Sequence, residues 1–103
     1  MEGRVFESIS EAVGQTPLVR LRQVTAGVKC KIYGKLEYLN PGGSLNDRTA
    51  KRILEAAQKS GKLKAGGTII EATSGNAGGG LAMLAASHGY RAVFTVPDKI
   101  SAE

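Results

Sequence analysis

Two glycine-rich stretches carry the groups of this chain that could do chemistry. In the run Thr73-Ser74-Gly75-Asn76-Ala77-Gly78-Gly79-Gly80, hydroxyl and amide side chains stand among glycines just ahead of a helical sequence. The first amides of a helix lack intrahelical acceptors, and the helix dipole favours negative charge beside them. The stretch therefore reads as an anion receptor, suited to a carboxylate as well as to a phosphate. The competing reading is a β–α turn in which glycine only permits close packing. The second stretch, Asn40-Pro-Gly-Gly-Ser-Leu-Asn-Asp-Arg48, is a tight turn feeding a helix, with Asn46 near the helix start. Its neutral amide supplies hydrogen bonds but no acid, base or nucleophile. Neither stretch matches the Gly-x-Gly-x-x-Gly spacing of a dinucleotide site or the Gly-Lys-Ser/Thr of a P-loop.

The elements that must position these loops follow from spacing. Residues 4–13 read as a short helix or turn ending at Gly14, and Leu18–Leu21 as an extended run after Pro17. Between Cys30 and Leu36 the alternation of Cys30, Ile32, Gly34 and Leu36 with Lys31, Tyr33 and Lys35 predicts a strand, with the thiol packed on its apolar side. Ser44, three residues before Asp47, reads as a capping box. Leu45, Ala50, Ile53, Leu54 and Ala57 then form one helical face, stopped by Gly61. Arg48 is expected to cap or pair near Asp47. Thr68–Ala72 reads as a short buried strand, Leu81–Ala86 as a small-residue helix closing at Gly89, and Arg91–Val96 as a strand stopped by Pro97. His88 falls at the end of that helix and Met83 in the core. The order strand–helix–strand–helix–strand predicts an α/β fold with a parallel sheet, whose ligands bind beyond the C-terminal strand ends.

Composition narrows the class. The chain has 103 residues, one domain at most, with 42% hydrophobic and 22% charged residues, as in folded globular chains. One cysteine excludes an internal disulfide and fits a reducing compartment. Glu2, Arg4 and Glu7 interrupt any leader-like apolar run, and no run nears the ~20 residues that span a bilayer, so a cytoplasmic location is expected. The net charge of +5 invites a nucleic-acid partner, yet no helix-turn-helix, zinc-ligand spacing or aromatic RNA-binding motif accompanies it. A solvated basic face is the simpler reading.

Five motifs in order carry a resemblance: Gln15-Thr-Pro-Leu-Val-Arg-Leu21, Lys35-Leu-Glu-Tyr-Leu-Asn-Pro-Gly-Gly-Ser44, Asp47-Arg48, Thr68-Ile-Ile-Glu-Ala-Thr-Ser-Gly-Asn76 and Gly89-Tyr90. From about Val13 to its last residue the chain resembles the opening part of the fold-type II pyridoxal-phosphate (PLP) enzymes, in the cysteine synthase and cystathionine β-synthase branch. The resemblance implies a truncated three-layer, Rossmann-like parallel-sheet subdomain. Residues 1–43 would be a segment packing on a larger domain, and residues 44–103 part of the small α/β domain. It implies β-replacement, joining sulfide or homocysteine to serine or O-acetylserine, with an amino acid as the small-molecule partner. It also implies a homo-oligomer or a further C-terminal domain, and neither nucleic acid nor membrane.

The same resemblance assigns residues. Thr73, Ser74, Gly75, Asn76 and Ala77 would receive the substrate carboxylate, Asn76 also bonding the cofactor's ring hydroxyl. Asn46 occupies the position of the Schiff-base lysine, so the covalent anchor and catalytic base are lost. Lys35 and Lys51 are the nearest other amines. Ala77 replaces a hydroxyl or amide side chain, and Gly79 an apolar one. The family's phosphate cup comes later than Glu103. The chain is therefore expected to be inactive by itself, to expose apolar faces meant for other parts, or alternatively to serve as a non-catalytic amino-acid-binding or subunit-pairing module.

Overall fold

The computed structural model describes residues 4–98, so the ends of both expected segments, 1–3 and 99–103, lie outside it. Along the chain come α1 (Ile9–Ala12), β1 (Leu18–Leu21), β2 (Ile32–Lys35), a 3-10 turn (Glu37–Leu39), α2 (Asn46–Lys59), β3 (Thr68–Ala72), α3 (Asn76–His88) and β4 (Arg91–Thr95). The strands form two separate pairs. β3 and β4 run parallel, from Thr68 opposite Arg91 to Ala72 opposite Thr95, with α3 as the crossover. β1 and β2 run antiparallel, Leu18 opposite Lys35 through Leu21 opposite Ile32.

The parallel pair with its connecting helix is the α/β unit the sequence predicts. The strand expected over 30–36 is shorter and belongs to the hairpin, not to the parallel sheet. Alternation identifies a strand but not its partner, and here Leu18–Leu21 is the nearer match. Cys30 falls outside β2 and its side chain is exposed, not packed.

The core sits between α2 and α3. Val13, Ala50, Leu54, Leu81 and Leu84 are buried, with Leu63, Ile69, Met83, Tyr90 and Phe94 packed around them. α2 buries fewer positions than its apolar stripe suggests, since Leu45 and Ile53 stay exposed. β3 is not the buried strand its β-branched residues predict. Ile69 turns toward the core, while Ile70 on the other face is 71% exposed and Val93 of β4 is 47% exposed. One face of this pair is covered by helix and the other is open.

The glycines divide into two groups. Gly61 and Gly89 end α2 and α3 with φ of 78° and 77°, the left-handed conformation expected of helix stops. Gly78, Gly79 and Gly80, expected in a turn, lie inside α3. The helix starts early because Thr73 Oγ1 accepts the Gly78 N–H at 3.0 Å, satisfying one of the free first-turn amides. A methyl at Gly78 would overlap the Thr73 side chain, and one at Gly80 would lie 3.1 Å from Asp47 Oδ1 and 3.2 Å from the Ala50 methyl. Nothing stands within 4 Å of a methyl at Gly79.

The turn before α2 is tied down from the N-terminal side. Arg48 does not pair with Asp47. Its Nε and Nη2 donate to Glu37 Oε2 and Oε1, both at 2.8 Å, and Nη2 also donates to the Gly14 carbonyl at 3.1 Å. Glu37 further accepts Thr16 Oγ1 and Asn40 Nδ2, and Asn40 Oδ1 accepts the Gly14 N–H. The hydrogen bond from Arg48 is the main cause that lowers the Glu37 carboxyl from 4.5 to about 2, against partial burial, with smaller help from Thr16, Asn40 and the Arg48 charge. The same bond raises Arg48.

Two outcomes are expected in urea unfolding. Gly79→Ala stabilises the chain by up to about 1 kcal/mol through helix propensity alone, whereas Gly78→Ala lowers the midpoint because its methyl meets Thr73. Equal midpoints for the two would contradict the packing. Glu37 is depressed in the folded state, so its contribution is fully present above pH 4.5 and is lost as pH falls toward 2. The stability gap between the parent chain and Glu37→Gln should hold steady down to pH 4.5 and close below it. A gap independent of pH would refute the role of the ion pair.

Candidate functional site

The two glycine-rich stretches meet through one buried carboxylate. Asp47, in the first turn of α2, is 0% exposed. Its Oδ2 accepts the Gly42 N–H, so the expected capping box is replaced by a reach back into the turn. Ser44 instead accepts the Asn46 N–H on its hydroxyl at 3.1 Å. Asp47 Oδ1 has no hydrogen-bond partner among the described residues and faces Gly80 of α3. Both neighbours are glycine for a steric reason, since a methyl at either position would crowd the carboxylate. This contact fixes the start of α2 one helical turn from Asn76.

The predicted receptor loop lies where a parallel sheet places ligands, past the C-terminal ends of its strands. The Thr73 N–H donates to the Thr95 carbonyl at 3.0 Å, carrying the β3–β4 pairing one step beyond the strands. Beyond that bond an open cleft of about 380 Å³ is lined by Ala72, Thr73, Ser74, Thr95, Val96 and Pro97. Gly75, Asn76 and Ala77 follow Ser74 in the chain and are exposed, Gly75 as the N-cap and the other two as the first residues of α3. The amides of Asn76 and Ala77 have no protein acceptor among the described residues, because Thr73 Oγ1 serves Gly75 and Gly78 instead. Two adjacent N–H groups at a helix start are thus open to an anion. Gly75 has free space where a side chain would stand, which leaves room for a ligand against the backbone.

Asn46 does not line that cleft. It is half-buried at the first position of α2, next to Asp47. Lys35 does not offer a replacement amine, since its Nζ donates to the Thr16 carbonyl at 3.1 Å. Lys51 lies five residues further along α2.

Sequence reasoning missed Thr73 as the cap of α3, Asp47 as the link between turn and helix, and the Glu37–Arg48 network. Only the first had a local signal: a threonine a few residues before the helix and its glycines. The other two join residues that no spacing rule connects.

Other groups are quiet. His88 ends α3 and stacks on Tyr90 with ring centroids 6.1 Å apart. No group of metal-ligating residues and no helix long and apolar enough to cross a membrane occurs among the described residues.

Known proteins resemble this chain in sequence and fold. The pattern of the pyridoxal-phosphate dependent enzyme family matches residues 9–103. The cystathionine β-synthase of Apis mellifera is 50% identical over 102 residues, covering 97% of this chain and 20% of that protein. A cysteine synthase of Staphylococcus aureus is 48% identical over all of this chain, which spans 33% of that enzyme. The crystal structure of O-ureido-L-serine synthase superimposes with a TM-score of 0.87 at 45% identity, over 96% of this chain and 31% of that one. A lysine-to-alanine variant of that synthase, solved with O-ureido-L-serine bound, gives 0.82 at 46% identity, over 95% of this chain and 30% of its own. The chain thus spans a third or less of these relatives. With one family pattern running over nearly its whole length, and strands, helices and loops superimposing on solved members, the chain belongs to the pyridoxal-phosphate dependent enzyme family, in its cysteine synthase and cystathionine β-synthase branch.

Proposed function

We propose that this chain is the amino-acid-receiving part of a β-replacement enzyme of cysteine biosynthesis or transsulfuration, and that by itself it binds the amino acid without turning it over. In such enzymes sulfide or homocysteine would be joined to serine or O-acetylserine. The observation that carries the reading is the pair of free amides at Asn76 and Ala77, at the start of α3, which begins two residues after Ser74 of the cleft beyond β3 and β4. The substrate carboxylate would lie against Thr73, Ser74, Gly75, Asn76 and Ala77. Ala77 contributes its backbone N–H only, having no side-chain donor.

The cofactor fits this chain only in part. Pyridoxal phosphate supplies an electron sink for the substrate α-carbon when bound. The loop side offers Asn76, exposed and free to hydrogen-bond a ring hydroxyl. The covalent side does not fit, because the Asn46 amide nitrogen is delocalised into its carbonyl and is neither nucleophilic nor basic. No proton transfer is therefore assigned to position 46. A lysine-to-alanine variant of a relative, solved with O-ureido-L-serine bound, supports amino-acid binding in the absence of that lysine.

Two measurements test this. Calorimetric titration of the chain with serine should show saturable binding, weakened about tenfold by Asn76→Ala, the ~1.4 kcal/mol of one lost hydrogen bond. Failure to bind serine would remove the loop from the reading, while unchanged binding in the variant would remove the Asn76 side chain and leave only the backbone amides. In Asn46→Lys, borohydride reduction in the presence of pyridoxal phosphate should leave the cofactor on the peptide carrying residue 46, read by mass. Cofactor retained by Lys51 in the unsubstituted chain would show that position 46 is not the anchor.

A further inference from the structure

The net charge of this chain is concentrated in one place. Between Ala12 and Leu36 stand Arg20, Arg22, Lys29, Lys31 and Lys35 with no acidic residue, while the remaining nine basic residues are balanced by nine acidic ones. The whole excess of +5 thus lies on the β1–β2 hairpin and its connecting loop. Alternation along a strand places Arg20 and Arg22 on the same face. Leu21 pairs with Ile32 at the end of the ladder, and Arg22 and Lys31, the next residue on each chain segment, line one cavity. Like charges lining one cavity repel, and nothing nearby cancels them. Among the described residues the one ion pair is Arg48 with Glu37, so Arg20, Arg22, Lys29 and Lys31 have no acidic partner. Lys35 differs, its ammonium being directed to the Thr16 carbonyl.

Three of these cations converge on a hollow. Arg20, Arg22 and Lys31 line a cavity of about 300 Å³ together with Thr25, Gly27 and Cys30. That volume is at the lower end of the ~300–1,000 Å³ typical of small-molecule sites. The cavity belongs to the hairpin, while the cleft described above belongs to the β3–β4 pair.

We propose that this cavity binds a small phosphate-bearing anion. Guanidinium forks match phosphate oxygens in bidentate fashion, and two of the three converging cations are arginines. A polyvalent anion relieves the Arg22–Lys31 repulsion more fully than a single carboxylate does. A nucleic-acid strand is disfavoured because the site is small and concave, and no aromatic ring lines it for base stacking. The site is independent of the amino-acid cleft and of residue 46.

Cys30 provides the readout, being the chain's single cysteine, exposed, and in the cavity wall. Inorganic pyrophosphate should slow alkylation of Cys30 by iodoacetamide, an uncharged reagent, and the effect should saturate. Potassium chloride at matched ionic strength should not reproduce it. Arg22→Gln and Lys31→Gln, both at exposed positions, should each raise the half-protecting pyrophosphate concentration at least tenfold. The proposal is overturned by an absence of protection, by equal protection from chloride, or by half-protection unchanged in both variants. Protection by a short oligonucleotide but not by pyrophosphate would overturn it in favour of a nucleic-acid surface.

Discussion

One carboxylate withdrawn from water holds the two halves of this site in register. Burying a polar group costs free energy unless hydrogen bonds compensate, and among the described residues Asp47 has only the Gly42 amide on one oxygen and no partner on the other. Its position in the first turn of α2 offsets part of the cost through the helix dipole. What it provides is geometric. Gly42 from the turn and Gly80 from α3 close on the same carboxylate, so the turn before Asn46 and the helix after Thr73 cannot shift independently. The Glu37–Arg48 pair secures the same turn from the other side, through Gly14, Thr16 and Asn40.

This resolves the two readings of the glycine-rich stretches, because both hold at different residues. Gly42, Gly78 and Gly80 are packing glycines: each has a side chain where its methyl would be. Gly43, Gly75 and Gly79 face open space, where the backbone is free of neighbouring side chains. A glycine run read as letters does not make this distinction. It depends on which neighbour, near in sequence as Thr73 is to Gly78 or distant as Asp47 is from Gly80, occupies the vacant volume.

The elements that sequence located well are those fixed by local rules. The α2 periodicity, the stops at Gly61 and Gly89, and the β-branched runs of β3 and β4 all report on backbone preferences within a few residues. What was misplaced depends on distant partners. The alternation at 30–36 marked a strand truly, but its pairing with Leu18–Leu21 separated it from the parallel sheet. Arg48 was expected beside its neighbour Asp47, yet its guanidinium reaches Glu37 and Gly14 instead. β3 looked buried because its composition anticipates cover on two faces, whereas the described residues supply it on one.

The same logic applies at residue 46. The backbone at this position is set by Ser44, whose hydroxyl takes the Asn46 N–H, and by Asp47, which anchors Gly42. The Asn46 side chain makes no hydrogen bond among the described residues and is only half-buried. None of these contacts depends on the amide group of Asn46, and an amide and an amine differ completely in what they offer a carbonyl compound. A close superposition on solved family members, such as the TM-score of 0.87, follows from the scaffold alone. The interactions that define the fold at this point run through positions 42, 44 and 47, and they leave the side chain at 46 without a hydrogen-bonding role among the described residues.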